Sequence, residues 1–197
     1  MGEQTTLNGE IIKKFSEDVV IKNDNLTIYS DYATQNSNTK NISIVGHIKM
    51  IDNENILTCD SMFYWPNKDS IFASGNVHLK QFNKGVTGNS ILIKYDNKKI
   101  KSFQILENAY GYNEELIQIN KLDSPKKFID EMTSKVMNGY LNDGILNTLH
   151  LINMATTNYH MTQDSLLIGK NVASGDTIMI HLSENNLSQI EVFNDAR

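Results

Sequence analysis

Asp31, Asp60 and Asn89 recur at 29-residue intervals. In a repeat protein such spacing brings equivalent side chains into one row. Two carboxylates and an amide oxygen in a row are the ligand types that a hard cation such as calcium takes. The third member is neutral, however, and no Gly-Asp-rich nonapeptide accompanies the series. Hydrogen bonding at turns or strand ends is therefore the reading adopted for these anchors. The five histidines, at positions 47, 78, 150, 160 and 181, form no HExxH or other short ligand spacing. His47 and His78 fall on the polar phase of their segments and are expected in solvent. The nucleophile motif Gly-x-Ser-x-Gly is absent, and Cys59 stands alone. A single thiol excludes an internal disulfide, a CxxC redox pair and a thiolate-rich zinc site. The expectation is therefore no enzyme, no catalytic residue, no metal and no cofactor.

The elements that carry these residues read as strands. The 197-residue chain is 40% hydrophobic, and its mean hydropathy is -0.37. It has no apolar run approaching the roughly 18 residues of a membrane-spanning helix. Lysine plus arginine number 18 against 23 acidic residues, a net charge of -5, which argues against a general nucleic-acid binder. Helical periodicity is confined to 130–137, too short to make a helix. Elsewhere short alternating runs prevail, such as Asn76-Val77-His78-Leu79-Lys80 and Ser90-Ile91-Leu92-Ile93-Lys94-Tyr95. Turn formers separate them, including Asp52-Asn53-Glu54-Asn55 and Asn142-Asp143-Gly144. The protein is predicted to be all-β.

The strands repeat. Gly46-His47-Ile48-Lys49-Met50 returns 29 residues later as Gly75-Asn76-Val77-His78-Leu79, in step with the anchors. Gly88 and Gly175 lie three periods apart, each opening a similar strand. Gly46, Gly75 and Gly175 are read as structural anchors that supply bulges or turns with positive φ. The regular repeats run over 17–109, and an insertion around 121–132 with Ser124-Pro125 makes 110–135 a longer loop or a changed strand geometry. Further repeats follow over 136–196, for about six to seven units of roughly 29 residues. Units of two to four short strands would stack into two facing sheets and share one core. Alternation turns Ile48, Met50, Val77, Leu79, Ile91 and Ile93 inward. The opening MGEQTTLNGE has no secretory signal pattern. Residues 1–14 are expected as a flexible lead before a single elongated module over 15–197, truncated at its C-terminus. Trp65-Pro66 has no counterpart in neighbouring units and reads as a capped strand end or a partner contact.

This pattern resembles the OstA-like, or LptA-like, family. The motifs that carry the likeness are Gly46-His47-Ile48 with Leu57-Thr58-Cys59-Asp60-Ser61 and Tyr64, and Gly75-Asn76-Val77 with Val86-Thr87-Gly88-Asn89-Ser90 and Tyr95. Ala173-Ser174-Gly175-Asp176-Thr177-Ile178 looks like the longer OstA-like proteins of Bacteroidetes-type bacteria. The resemblance implies a repetitive antiparallel β-jellyroll, a V-shaped two-sheet β-solenoid with an apolar groove. It also implies a non-enzymatic periplasmic module, free or associated with the outer membrane, that shields lipopolysaccharide acyl chains for outer-membrane assembly. Groove-lining candidates are Ile48, Met50, Phe63, Val77, Leu79, Ile91, Ile93, Leu149, Leu151, Ile178 and Ile180. Implied partners are lipopolysaccharide or a related lipid, other OstA-like or Lpt envelope proteins stacking through edge strands, and a head-to-tail homo-oligomer, with no nucleic acid. The only arginine is Arg197, which leaves few bidentate partners for lipid phosphates. The competing expectation is a β-solenoid with a closed core, acting as a scaffold or protein-binding module of the cell envelope.

Overall fold

The computed structural model describes residues 2–7, 10–23, 26–183 and 186–194. They form twelve strands: β1 (Gly2–Leu7), β2 (Glu10–Asn23), β3 (Leu26–Asn36), β4 (Ile42–Asp52), β5 (Asn55–Trp65), β6 (Ser70–Gln81), β7 (Lys84–Asp96), β8 (Lys99–Ile117), β9 (Lys126–Asn142), β10 (Ile145–Gln163), β11 (Leu166–Ser183) and β12 (Asn186–Phe193). Their order in the sheet is their order in the chain, and each neighbouring pair is antiparallel. The first and last strands each have a single neighbour, so the sheet is open. Among the described residues the only helical piece is the 3-10 turn Pro66–Lys68, and no helix is long and apolar enough to cross a membrane. Two-residue turns with both residues in the left-handed region, Asn97–Lys98, Asp143–Gly144 and Asp164–Ser165, close three of the hairpins. That conformation matches the twist of the flanking strands.

The repeat unit is a pair of long strands rather than two to four short ones. What read as separate short strands are halves of one strand joined through a bulge. Each of β2, β4, β6, β8 and β10 carries two consecutive positive-φ residues near its middle: Glu17–Asp18, Gly46–His47, Gly75–Asn76, Glu107–Asn108 and Asn153–Met154. The ladder register shifts at these points on both sides of β4, β6, β8 and β10. The even-numbered strands thus hold one residue more than their neighbours there, as a β-bulge does. The bulges lie opposite one another and make a continuous line across the sheet.

This line sets which side chains face the core. On even-numbered strands the buried positions keep step across the bulge, as in Ile44 and Ile48, Ala73 and Val77, and Leu151 and Ala155. On odd-numbered strands the alternation slips by one. Ser30 and Ala33, Cys59 and Met62, and Ser134 and Met137 are buried three residues apart. The slip falls at Asp31 on β3 and Asp60 on β5, so these anchors sit in mid-strand rather than at turns or strand ends. His47 Nδ1 lies 2.7 Å from Asp31 Oδ2. Asn76 Nδ2 donates to Asp60 Oδ2 at 2.9 Å. In the next pair Asn89 Nδ2 donates to Glu107 Oε2 at 2.9 Å. The anchors therefore tie the bulges of β4, β6 and β8 to the strand before each.

Other expectations change. Residues 2–7 and 10–14, expected within a flexible lead, pair in a hairpin of β1 and β2. Residues 130–137 belong to β9, where pairing on both sides overrides a weak helical pattern. The 110–135 region is mostly strand: β8 runs to Ile117 and β9 begins at Lys126. The chain just after β8 curls onto the start of β11, where Leu167 N donates to Gln118 O at 2.8 Å and Gln118 N to Ser165 O at 3.0 Å. Gly175 lacks the expected positive φ. A Cβ there would lie 2.7 Å from Val192 Cγ1, so this glycine makes room for β12.

Gly75 tests the bulge line. Its φ is +77°, and a Cβ would come 2.8 Å from Asp60 Cβ. Gly144 has φ +84° in a hairpin turn with no atom within 4 Å. Gly75→Ala is expected to cost about 2–4 kcal/mol, strain plus overpacking. Gly144→Ala is expected to cost about 1 kcal/mol, strain alone. Urea unfolding of both variants checks this, and equal losses would count against a sterically closed bulge line.

Candidate functional site

Strand geometry makes one contact especially informative. Tyr95 on β7 donates through its hydroxyl to Asp52 Oδ2 on β4, at 3.4 Å. Two strands separate them in the sheet, and they lie on opposite sides of the bulge line. At about 3.3 Å per residue, straight strands would hold them roughly 35 Å apart along the strand direction. The bulges bend the strands enough to bring these ends together. Further along the sheet the same approach of strand ends leaves a partly open cavity of about 190 Å³. From one side of the bulge line come Leu79, Val86, Tyr112, Met132 and Tyr159. From the other come Ile100, Phe103, Leu149, Ile180 and Ile190. Phe103 has its place because Gly139 lies beside it, where a Cβ would meet the ring at 2.9 Å from Cδ1 and closer at the ring tip. Tyr112 lies over Gly85 in the same way, reaching His78 with its hydroxyl 3.0 Å from Nε2.

Among the groove candidates, Ile48, Met50, Val77, Ile91, Ile93, Leu151 and Ile178 are fully enclosed by protein. Leu79, Leu149 and Ile180 line the cavity. Phe63 faces away from the core, because the slip at Asp60 gives the inward place to Met62. It stacks on Trp65 with centroids 6.1 Å apart. Lys68 Nζ sits 5.7 Å over the Trp65 ring where β5 ends. Residue order showed no sign of Ile100, Phe103, Leu182 or Ile190 as lining. The glycines at 85 and 139 were the available signal, since each marks a ring lying across a neighbouring strand.

The titratable groups are dispersed. Among the described residues no group of three or more His, Cys, Asp or Glu side chains could hold a metal ion. His78 is not in solvent as expected: burial, with the Lys80 charge, lowers its pKa. His47 is exposed, and its bond to Asp31 raises its pKa. Cys59 is buried, and that burial pushes its thiol up to about 12, so it stays protonated. His160 pairs with Asp130 at 2.8 Å, and His181 with Glu191 at 3.3 Å.

Residues 3–97, from β1 through β7, match the family described as OstA-like protein. Over that span the chain resembles the OstA-like family. Its fold is similar to a crystal structure of LptH, the LptA homologous periplasmic component of the conserved lipopolysaccharide transport device from Pseudomonas aeruginosa. The TM-score is 0.51 at 15% identity, over 71% of this chain and 82% of that one. At that identity the likeness is one of fold. No curated protein sequence matches the chain. Much of the cavity lining comes from β8–β12, beyond the span of the OstA-like match.

Asp52 holds the closed end of the sheet. It is 8% exposed. Burial raises its pKa, against the lowering effect of bonds from Tyr95 and Asn53. The folded carboxyl thus holds its proton more tightly than the unfolded one. This group's stabilising effect is full below the unfolded pKa and is lost as pH rises through the folded value. Asp52→Asn is expected to flatten the loss of stability between pH 4 and pH 7, whereas Tyr95→Phe, which removes a bond to the charged form, steepens it. Urea unfolding at the two pH values reads both, and an unchanged slope in both variants would discount the Asp52–Tyr95 contact.

Proposed function

We propose that this protein is a non-enzymatic lipid-binding module of the periplasm that shields acyl chains during outer-membrane assembly. In this reading the bulge line is the spine of a V-shaped pair of facing sheets, and the cavity is the part of the groove where the sheets stay apart. The observation that carries it is the apolar cavity lined from both sides of the bulge line. Burial of a chain there would yield about 0.8 kcal/mol per methylene. The OstA-like match and the fold likeness to a component of a lipopolysaccharide transport device support lipopolysaccharide as the lipid. The outer edges of β1 and β12 have no partner strand among the described residues. Open edges take further strands by β-augmentation, which supports head-to-tail stacking with a second copy or another envelope protein of the family.

A specific observation also favours the scaffold reading, for one end of the molecule. Across β4–β7 the interior is filled: Ile44, Met50, Leu57, Met62, Ile91 and Ile93 are wholly buried. That half would act as a rigid closed core and the β8–β12 half as the lipid-holding part.

Photo-crosslinking separates these roles. A benzophenone side chain at Leu79, Phe103 or Ile180 is expected to label lipopolysaccharide, and one at outward-facing Val45 is not. Absence of labelling at all three cavity positions would sink the lipid-binding reading and leave the scaffold.

A further inference from the structure

Among the described residues four buried side-chain atoms lack a hydrogen-bond partner: Ser37 Oγ, Asp130 Oδ2, Thr157 Oγ1 and Asn158 Oδ1. Asp130, Thr157 and Asn158, from the paired strands β9 and β10, all line the cavity. Asn158, however, follows Thr157 along β10 and pairs with exposed Val172, so its side chain projects to the outer face. Asp130 and Thr157 are the two on the inner face. In the ladder Thr157 lies opposite Met132, and Asn158 opposite Glu131, the neighbour of Asp130. The Asp130 side chain is 7% exposed, and Thr157 is 4% exposed. Asp130 Oδ1 is already engaged, by the His160 backbone N–H and by His160 Nδ1, each at 2.8 Å. Its Oδ2 has no such partner. A buried polar atom left unpaired costs stability, so two on the inner face of one cavity mark a place where something else supplies the bonds.

The chemistry of the two atoms selects what that is. A carboxylate oxygen only accepts, and a hydroxyl accepts or donates. The array therefore calls for N–H or O–H donors. The cavity lining carries three carboxylates, Glu115, Asp130 and Glu131, against one ammonium, Lys84, a balance of -2. Glu131 accepts from the Tyr110 hydroxyl at 2.8 Å, and Glu115 from Asn113 Nδ2 at 2.7 Å. Such a wall repels a phosphate or sulfate head and favours a cation. A buried ammonium needs an opposite charge and further acceptors to offset its lost hydration. Asp130 Oδ2 with the Thr157 hydroxyl is such a set.

We propose that Asp130 and Thr157 form a subsite for the primary-ammonium head of an amphiphile whose chain lies against Phe103, Leu149 and Ile180. This rests on the lipid-binding reading above and adds the class of head group. The test is displacement of N-phenyl-1-naphthylamine from the full chain by three twelve-carbon amphiphiles below their micellar concentrations. Dodecylammonium has charge and N–H donors, dodecyltrimethylammonium has charge without donors, and dodecyl sulfate has the opposite charge. Dodecylammonium is expected to displace the dye at about tenfold lower concentration than either other compound, a difference of about 1.4 kcal/mol. Thr157→Val should lower the advantage of dodecylammonium over dodecyltrimethylammonium, and Asp130→Asn should weaken both cations relative to dodecyl sulfate. If Asp130→Asn fails to fold, the head-group comparison in the native chain and Thr157→Val decide. Equal displacement by all three compounds would mean that bound water alone completes these atoms, which overturns the subsite and leaves the lipid-binding reading standing. If the dye or every amphiphile fails to bind, both fall.

Discussion

A mismatch of one residue, repeated along the sheet, governs this structure. Each even-numbered strand from β4 to β10 brings two residues to a point where its neighbours bring one fewer. The extra residue cannot join the ladder, so the backbone there adopts left-handed geometry and the strand bends. That geometry is unfavourable for most residues, but glycine, asparagine, aspartate and histidine tolerate it best. Gly46–His47 and Gly75–Asn76 use those types, and Asp18, Asn108 and Asn153 each fill one place of their pairs. The bonds from Asp31 and Asp60 then hold two of the bulges in register.

The bend has different results in the two halves of the molecule. Across β4–β7 the strands are 11 to 13 residues long, and isoleucine, leucine and methionine fill the space between their ends. The Asp52–Tyr95 hydrogen bond crosses that end. From β8 to β11 the strands lengthen to 17–19 residues, their ends stay apart, and a cavity remains. It is mostly apolar, as an acyl chain needs, but its β9–β10 wall holds a carboxylate and a hydroxyl that an apolar chain alone does not satisfy. The cavity is therefore amphipathic, with an oily side and a hydrogen-bond-accepting side.

Much of the fold was legible in residue order. The 29-residue period, the all-β class and the anchor row came from local alternation and turn chemistry, which neighbouring residues largely dictate. The inward set was legible only while alternation stayed in phase. Ile48, Met50, Val77 and Leu79 lie on even-numbered strands, where phase carries through the bulge, and all four are buried. Phe63 lies beyond the slip on β5 and faces out, a reversal that its own segment does not reveal. The hairpin of β1 and β2 was missed for a related reason: Gly2–Leu7 alone alternates weakly, and its strand character comes from pairing with β2.

Period, strand class and the absence of a nucleophile motif are properties of the chain read along its length, and residue order carried them unaided. The cavity is not such a property. Phe103 lines it because Gly139, 36 positions later, leaves room beside its ring. Asp130 meets it as an acceptor because His160, 30 residues away, occupies only one carboxylate oxygen. Those relations exist only after bending brings distant strand ends together, since burial and hydrogen-bond satisfaction depend on neighbours in space rather than along the chain.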